Sequence, residues 1–372
     1  MLEESSISML SNSSNSTAAA SDHSATKADP LMRVTNLSKR FRRSEERAVD
    51  DVSFSLAPGE ILALLGPSGC GKTTTLRMLA GFEQPDAGKI ELHEKDITHW
   101  APQKRNIGIV FQDYALFPHM SLVGNVAFAM RHIPRSQRER KALEWLDLVG
   151  LKPLAYRLPD ELSGGQQQRV ALVRTLAAEP ELVLLDEPFS NLDAALREST
   201  RKEMRELFKR TGTSVILVTH DQGEAMTMAD TIGVMRDGRL LQIGAPQAVY
   251  REPADAFVAE FLGHTNLLEG QASGMSAETP IGTVNLTSPA RGPVTLSLRP
   301  EDLALVRCEC EDSAEVIDRE FRGHDYFYVL QRGDHRYCAI IPNHDPLEVG
   351  SRVRLHTHKQ ASVLPKRDRK PN

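Results

Sequence analysis

The chain has 372 residues, of which 40% are hydrophobic and 26% charged, and its formal net charge is −5. This length predicts two or three domains, and the apolar fraction suffices for a large buried core. The slightly acidic balance argues against a dedicated nucleic-acid-binding protein, so we expect no nucleic acid partner. No stretch has the roughly 18 consecutive apolar residues of a membrane-spanning helix. Four cysteines do not make a disulfide framework, which favours a reducing cytosol.

The two ends of the chain are predicted to be tails. Residues 1–30 are rich in Ser, Ala and Asn and have no apolar periodicity, which predicts a disordered segment. This segment also lacks the apolar stretch of a secretory signal. Residues 364–372 contain the basic run KRDRK, which predicts a solvated tail, with contact to lipid as the alternative.

From Met32 onward, strand patterns alternate with helical patterns. MRVTNLSKRF and DVSFSL predict antiparallel strands, and EILALLG, IGIVFQ, ELVLLDE and SVILVTH predict buried parallel strands covered by helices. This layout predicts an α/β fold. Residues 246–263 predict short helices that link this part to the next. Beyond about residue 265, short alternating segments broken by Gly, Pro and Asn predict a small all-β domain over residues 265–363.

A glycine-rich motif follows the strand EILALLG. GPSGCGKT fits the pattern G-x-x-x-x-G-K-[ST], in which successive backbone N–H groups and a helix N-terminus face an anion. Lys72 would reach the β- and γ-phosphates of a nucleotide, and the Thr73 hydroxyl would bind Mg²⁺. The predicted phosphate contacts are Gly66, Pro67, Ser68, Gly69, Cys70, Gly71, Lys72, Thr73 and Thr74.

Cys70 is the unusual residue of this motif. A thiol at a helix N-terminus close to Lys72 is expected to have a lowered pKa and to face the phosphates. The alternative is that the Cys70 side chain points into the core behind the loop and is inert.

Further polar residues follow predicted strands in a fixed order. LSGGQ, at residues 162–166, precedes ELVLLDE, which places Asp186 and Glu187 at the carboxyl end of a strand, where open α/β sheets bind ligands. Asp186 suits the Mg²⁺ shell, and Glu187 suits polarising an attacking water. His220 ends the strand SVILVTH, and Gln112 closes the strand IGIVFQ. Together these residues predict a site that hydrolyses a nucleotide.

Over residues 31–264, these motifs resemble the ATP-binding subunit of ABC transporters. The resemblance implies a P-loop NTPase fold, in which a RecA-like core carries an antiparallel β subdomain and a helical subdomain at about residues 113–176. It implies ATP and Mg²⁺ as cofactors and Thr73, Gln112 and Asp186 as the residues around the metal. The implied catalytic residues are Glu187, His220, Lys72 and Gln112. Phe41 fits the position of an aromatic ring that stacks on adenine, although it could equally be a core residue.

In this family, two copies stack head to tail with ATP between them. The helical region carries LSGGQ away from the phosphate loop of its own chain, so the motif can serve only the partner's nucleotide. The implied contacts in trans are Ser163, Gly164, Gly165, Gln166 and Asp193. The implied partners are a second copy, integral-membrane permease subunits and a solute-binding protein, and the implied location is the cytoplasmic face of the plasma membrane.

The C-terminal region resembles the OB-like TOBE extension of importer ATPases, most recognisably at RPEDLAL, residues 299–305. Stretches such as FQDYALFPHMSLVGNVAF and LLDEPFSNLDAALR most resemble the ferric-ion import branch. Polyamine, sulfate and sugar importers stay open as alternatives. A soluble ABC ATPase acting in translation or DNA repair is the alternative from another class. A purely regulatory binding module should lack Glu187 or His220, and both are present.

The remaining cysteines and histidines carry weaker signals. Cys308 and Cys310 are spaced by two, which predicts that both lie on one face of a strand. With Cys338 they could bind a metal, but the ligand set is incomplete, so structural cysteines are expected. His344, His356 and His358 are expected to be ordinary surface residues.

Overall fold

The computed structural model of the chain describes residues 29–42 and 46–365. Most of both predicted tails therefore lies outside the described residues. The strands of the first part are β1 (Met32–Lys39), β2 (Val49–Leu56), β3 (Ile61–Leu65), β4 (Ala87–Leu92), β5 (Lys95–Asp96), β6 (Ile107–Val110), β7 (Leu182–Asp186), β8 (Ser214–Thr219), β9 (Thr231–Arg236) and β10 (Arg239–Gly244). The helices are α1 (Lys72–Ala80), α2 (Leu122–Ala129), α3 (Arg135–Leu148), α4 (Gly164–Leu176), α5 (Ala194–Thr211), α6 (Gln222–Met228), α7 (Pro246–Arg251) and α8 (Ala256–Phe261).

The strands of the second part form an all-β region. They are β11 (Asn266–Thr279), β12 (Gly282–Leu298), β13 (Ala304–Arg307), β14 (Ala314–Phe321), β15 (Asp325–Arg332), β16 (His335–Pro342), β17 (Arg352–His356) and β18 (Ser362–Leu364). They make a three-stranded sheet in the order β11-β12-β18 and a five-stranded sheet in the order β13-β17-β14-β15-β16. Leu364 belongs to β18, so it is not part of a solvated tail as expected.

The first part contains two sheets. An antiparallel sheet has the order β2-β1-β4-β5, which confirms the predicted pairing of the first two strands. A six-stranded sheet has the order β10-β9-β3-β8-β7-β6, and its strands are parallel except for β10. Strands β3 and β8 are buried along their whole length, because helices cover one face and helix α1 and the antiparallel sheet cover the other.

Helices α2, α3 and α4 fill the chain between β6 and β7. They share a core with the parallel sheet through buried side chains such as Leu122, Val126, Leu146 and Val170. Helix α4 ends at Leu176, the predicted end of the helical region. Of the described residues, none forms a helix with both the length and the apolar character that a membrane crossing needs.

The structure corrects the expectation for Cys308 and Cys310. Strand β13 ends at Arg307, so the two cysteines do not share a strand face, and they form a disulfide with each other. No group of three or more His, Cys, Asp or Glu side chains in the described part of the chain could hold a metal ion.

One buried arginine joins the two parts of the chain. Arg299 is 4% exposed, and its guanidinium donates to the carbonyls of Tyr250 (2.7 Å), Ala259 (2.8 Å) and His264 (3.2 Å). It also lies 3.9 Å from the centre of the Tyr250 ring, close enough for a cation–π contact. Arg299 therefore supplies hydrogen bonds to several carbonyls around helices α7 and α8.

We expect Arg299→Met to lower the free energy of unfolding by about 2–4 kcal/mol, because several buried carbonyls lose their donor. Urea titration monitored by circular dichroism measures this loss. The matched control is Arg251→Met, because Arg251 is largely exposed and pairs with Asp302 at 3.2 Å. This control should cost no more than about 1 kcal/mol. Equal effects of the two substitutions would contradict the role given to Arg299.

Candidate functional site

The predicted motifs meet at the carboxyl edge of the parallel sheet. The phosphate loop follows β3, His220 follows β8, Glu187 follows β7, and Gln112 follows β6, and these strands are neighbours in that order. Neighbouring strands lie about 4.8 Å apart, so the strand ends span roughly 15 Å. This row of strand ends is about as long as a nucleoside triphosphate.

The phosphate loop depends on glycines at close backbone contacts. A Cβ atom on Gly66 would lie 2.3 Å from the Met235 carbonyl oxygen, and one on Gly71 would lie 2.2 Å from the Ala48 carbonyl oxygen. Gly71 also has a φ of 101°, in the region that favours glycine, where it precedes α1. Any larger residue at either position would push the loop outward.

Lys72 lies within the curve of this loop. Its Nζ atom donates to the carbonyl oxygens of Gly66 (2.7 Å) and Pro67 (2.9 Å), and the residue is 5% exposed. Pro67, Ser68 and Gly69 form the exposed outer side of the loop, while Thr73 and Thr74 are half-buried in the first turn of α1. The loop therefore combines a positive side chain with a helix N-terminus, an arrangement that suits phosphate.

Cys70 differs from the expectation of a reactive thiol. Its side chain is 4% exposed and belongs to the core between the two sheets. Burial raises the pKa of the Cys70 thiol, and this outweighs the opposite effect of Lys72, whose Nζ atom is 3.8 Å from Sγ. The predicted lowered pKa is wrong, and the alternative of an inert thiol behind the loop agrees with the structure.

Thr73 and Asp186 bring two hard oxygen ligands together. The Thr73 hydroxyl donates to Asp186 Oδ1 at 3.2 Å, across the gap between α1 and the end of β7. Burial raises the pKa of Asp186, and the neighbouring Glu187 carboxylate adds to this effect. A hydroxyl and a carboxylate are oxygen ligands of the kind that Mg²⁺ prefers.

Glu187 and His220 form the second polar pair at the edge. His220 Nδ1 lies 3.2 Å from Glu187 Oε2, and both side chains reach solvent. Glu187 has a φ of 46°, an uncommon backbone conformation for this residue, and its N–H donates to the Val218 carbonyl at 2.9 Å. Both residues line a cavity of about 110 Å³, which has room for water.

The residues behind His220 were not predicted from the sequence. Arg201 donates to Asp221 (3.0 Å) and to Glu224 (3.1 Å), and Glu224 accepts a short hydrogen bond from the Thr219 hydroxyl. Burial by itself would raise the pKa of Asp221. The hydrogen bond from the Glu224 N–H and the positive charge of Arg201 together have the larger effect, so the pKa of Asp221 is lowered. Burial raises the pKa of Glu224. The spacing D-x-x-E at the start of α6 is a helix-capping signal that could have identified this pair.

Gln112 lies in an exposed turn, two residues beyond the end of β6 at Val110, rather than at the last position of the strand. Its carbonyl oxygen accepts a hydrogen bond from Asn191 Nδ2 at 2.9 Å. This contact ties the turn to the SNLD segment that follows β7.

The LSGGQ motif lies at the start of α4. A Cβ atom on Gly165 would lie 2.8 Å from Leu196 Cδ2, so this glycine allows close packing on α5. Gly164 and the exposed Ser163 lie at the same helix start, and Gln166 Oε1 accepts the Ser163 N–H at 3.0 Å. Asp193 caps α5 by accepting the Leu196 N–H at 2.9 Å, so it has a structural role in its own chain.

Phe41 is not a core residue. Its ring is 43% exposed and lies 5.7 Å from Lys39 Nζ, just after β1 ends. An exposed ring at this position is available for stacking.

Comparison with known proteins identifies the class. The ABC transporter family model matches residues 49–190, and the TOBE domain model matches residues 296–364. The Fe(3+) ions import ATP-binding protein FbpC of Agrobacterium fabrum is 47% identical over 262 residues, which are 68% of this chain and 74% of that protein. FbpC of Streptomyces coelicolor is 45% identical and covers 82% of this chain and 90% of its own. The sulfate/thiosulfate import ATP-binding protein CysA of Burkholderia mallei is 48% identical, over 73% and 79%.

Solved structures agree with this assignment. The dimeric post-hydrolysis structure of the ATP-binding cassette MJ0796, bound to ADP and Pi, has a TM-score of 0.52 and 29% identity, covering 58% of this chain and 99% of that chain. The structure of cbiO1 from Clostridium perfringens, part of the ABC transporter complex cbiONQ, has a TM-score of 0.56 and 30% identity, over 60% and 91%. The chain therefore belongs to the ABC transporter family. Within that family it is the ATP-binding subunit of an importer, an ATPase coupled to transmembrane transport.

We expect Cys70 to resist N-ethylmaleimide in the folded protein near neutral pH, because it is buried and its raised pKa leaves little thiolate. Burial also raises the pKa of the Cys338 thiol, so Cys338 is the matched comparison. Mass spectrometry of peptides after labelling with and without urea measures both sites. Rapid labelling of Cys70 without urea would contradict its placement behind the loop.

We expect Asp186→Asn to raise the melting temperature at pH 7–8 in the absence of Mg²⁺. Burial raises the pKa of Asp186 in the folded protein above its value in the unfolded chain. Ionisation of Asp186 therefore lowers the free energy of unfolding as the pH rises through the folded-state pKa. Asparagine cannot ionise and avoids this loss. The gain should vanish towards about pH 4, where the carboxyl is protonated in the unfolded chain as well. Asp160→Asn, at an exposed position, is the control. A gain that is independent of pH would contradict this explanation.

Proposed function

We propose that this subunit hydrolyses MgATP in a head-to-tail homodimer and thereby energises uptake of ferric iron through a partner permease. Residues 31–264 form the ATP-binding domain, and residues 265–364 form the TOBE extension. The observation that carries the hydrolytic role is the placement of the Glu187–His220 pair at the same sheet edge as Thr73 and Asp186.

Each residue at the edge has a role that its surroundings support. The loop N–H groups and Lys72 would hold the β- and γ-phosphates, and Thr73 and Asp186, together with Gln112, would hold Mg²⁺. Mg²⁺ supplies charge neutralisation at the transferring phosphoryl group. Glu187 orients the attacking water, and His220 steadies Glu187 and contacts the γ-phosphate. Phe41 stacks on the adenine ring.

The position of LSGGQ supports the dimer. Its helix, α4, has 13 residues and is therefore about 20 Å long, with the motif at its N-terminal end. In a head-to-tail pair, Ser163, Gly164, Gly165 and Gln166 close over the partner's ATP, with Asp193 next to them. Ser163 is exposed at the helix N-terminus and can therefore donate to a phosphate oxygen.

Exposed aromatic rings near Gln112 support a docking site for the permease. Phe82 is 55% exposed and Phe111 is 36% exposed, and their ring centres lie 6.1 Å apart. Phe128 on α2 is 41% exposed. A short helix from each permease subunit would cover these rings. In this proposal the ATP-binding subunit lies at the cytoplasmic face of the membrane. A solute-binding protein delivers the solute on the other side.

Ferric iron is the proposed solute because two of the similar importers are named for Fe(3+) ions. Sulfate is the second candidate, because the sulfate/thiosulfate import protein has 48% identity. The test is ATPase activity of the reconstituted complex with its permease and binding protein. Stimulation by the Fe(3+)-loaded binding protein and not by sulfate supports the proposal, and the reverse pattern would replace iron with sulfate.

We expect Glu187→Gln to keep ATP affinity but lower kcat by about a hundredfold or more, because the carboxylate that orients water is lost while the shape is kept. Size-exclusion chromatography with MgATP should then show a persistent dimer. Glu181→Gln, at an exposed position just before β7, is the control and should hydrolyse ATP at the parental rate.

Lys72→Ala gives the complementary comparison. It removes a direct phosphate partner, so ATP affinity itself should fall. Near-parental turnover by Glu187→Gln would remove Glu187 from its proposed role, whatever the result at Lys72.

A further inference from the structure

The segment after Gln112 has an unusual backbone. Tyr114 and Ala115 are consecutive non-glycine residues with positive φ, of 60° and 45°. Such conformations are unfavourable for these residue types and persist only where surrounding contacts hold them. The Tyr114 N–H donates to the Phe111 carbonyl at 3.0 Å, which closes a tight turn around Gln112.

Arg174 on α4 holds this backbone. Its Nη1 atom donates to the Ala115 carbonyl at 2.7 Å, and its Nη2 atom donates to the Tyr114 carbonyl at 3.1 Å. The two bonds use both arms of one guanidinium, a geometry that a lysine cannot reproduce. Arg174 also lies 5.6 Å from the centre of the Phe117 ring.

The connection continues into the helical region. The fully buried Asn125 of α2 accepts from the Phe117 N–H at 2.8 Å and donates to the Phe117 carbonyl at 3.1 Å. The Phe117 ring packs edge-on against Phe128, with ring centres 4.7 Å apart. The segment from residue 112 to 117 is therefore held by both α2 and α4.

Arg174 and the LSGGQ motif lie on the same helix. Ser163 precedes the first turn of α4, and Arg174 is 11 residues later, so about 16 Å of continuous helix separates them. At the other end, Asn191 binds the Gln112 carbonyl, and the next residue, Leu192, lies 3.4 Å from where a Cβ on Gly164 would be. Two chains of contacts therefore connect the Gln112 turn with LSGGQ.

We propose that Arg174 is a positioning residue that makes the Gln112 turn and the LSGGQ helix move together when nucleotide binds. This proposal rests on the proposed function, because it takes Gln112 and LSGGQ as parts of the ATP site. Arg174 does not touch ATP in this scheme. It acts through the Tyr114 and Ala115 carbonyls.

The test compares Arg174→Met and Arg174→Lys with Arg169→Met in the full-length chain. Arg169 lies on the same helix but pairs with Glu203 of α5 at 2.9 Å. We expect Arg174→Met to lower kcat about tenfold with KM changed by less than about twofold, because nucleotide binding at the phosphate loop is untouched. Arg174→Lys should be intermediate, since it keeps the charge and one bond. Arg169→Met should match the parent.

Hydrogen exchange separates coupling from a merely structural role. In a Glu187→Gln background with MgATP, we expect protection of peptides covering residues 66–74 and 162–170. Adding Arg174→Met should leave the first peptide protected and remove most of the protection of the second, whereas adding Arg169→Met should change neither. Undiminished protection of residues 162–170 with Arg174→Met, or an equal loss with Arg169→Met, would overturn the proposal.

The proposed function fails in a distinguishable way. If MgATP does not protect residues 66–74 in the Glu187→Gln protein with Arg174 intact, the ATP site itself is wrong, and the role of Arg174 falls with it. A different outcome overturns only the coupling proposal. In that case MgATP protects residues 66–74 in every variant, and the protection of residues 162–170 is the same with and without Arg174→Met.

Discussion

The parallel hydrogen-bond ladder of the central sheet is the constraint on which the site depends. Strand β3 pairs with β8 so that Leu65 lies opposite Thr219, and β8 pairs with β7 so that Leu217 lies opposite Leu185. This register brings three strand ends level, so the loops that follow them begin in one row. A slip of one residue would turn every side chain of a strand to the other face. Because both faces of these strands are buried, the packing on each side specifies the register.

The site is organised around carboxylates with unequal surroundings. Burial raises the pKa of Asp186 and of Glu224, but a fixed arginine, Arg201, lies beside Glu224. Thr73 provides one hydrogen bond to Asp186. Lys72 and Arg77 lower the pKa of Asp186 by less than burial raises it, whereas Arg201 bonds directly to Glu224. The different roles of two buried acids follow from their partners rather than from their residue type.

Two arginines hold the connections between parts of the molecule by the same physical means. Arg174 and Arg299 each donate to backbone carbonyls of segments outside regular strands. A buried carbonyl without a donor is unfavourable, and a planar guanidinium can satisfy several carbonyls at once. Arg174 joins the Gln112 turn to the helical region, and Arg299 joins the linking helices to the all-β region.

The sequence by itself determined the class of protein, because its main signals are local. GPSGCGKT and LSGGQ are contiguous motifs, and the buried strands are short apolar runs whose following residues could be read directly, as for Asp186 and His220. Helices and strands were identified wherever one face or a whole strand is apolar. The sequence did not indicate strands β4, β5 and β10, which are short or carry polar residues, nor strand β9, although four of its six residues are buried.

Only the tertiary structure decided the environment of individual side chains. The position of Cys70 next to Lys72 suggested an activated thiol, but its burial between two sheets depends on residues far away in the chain, and burial outweighs the nearby charge. The Arg174 contact with Ala115 spans 59 residues, and the Arg299 contact with Ala259 spans 40. Desolvation and long-range hydrogen bonds depend on which segments pack together in space, and no local pattern in the sequence records that.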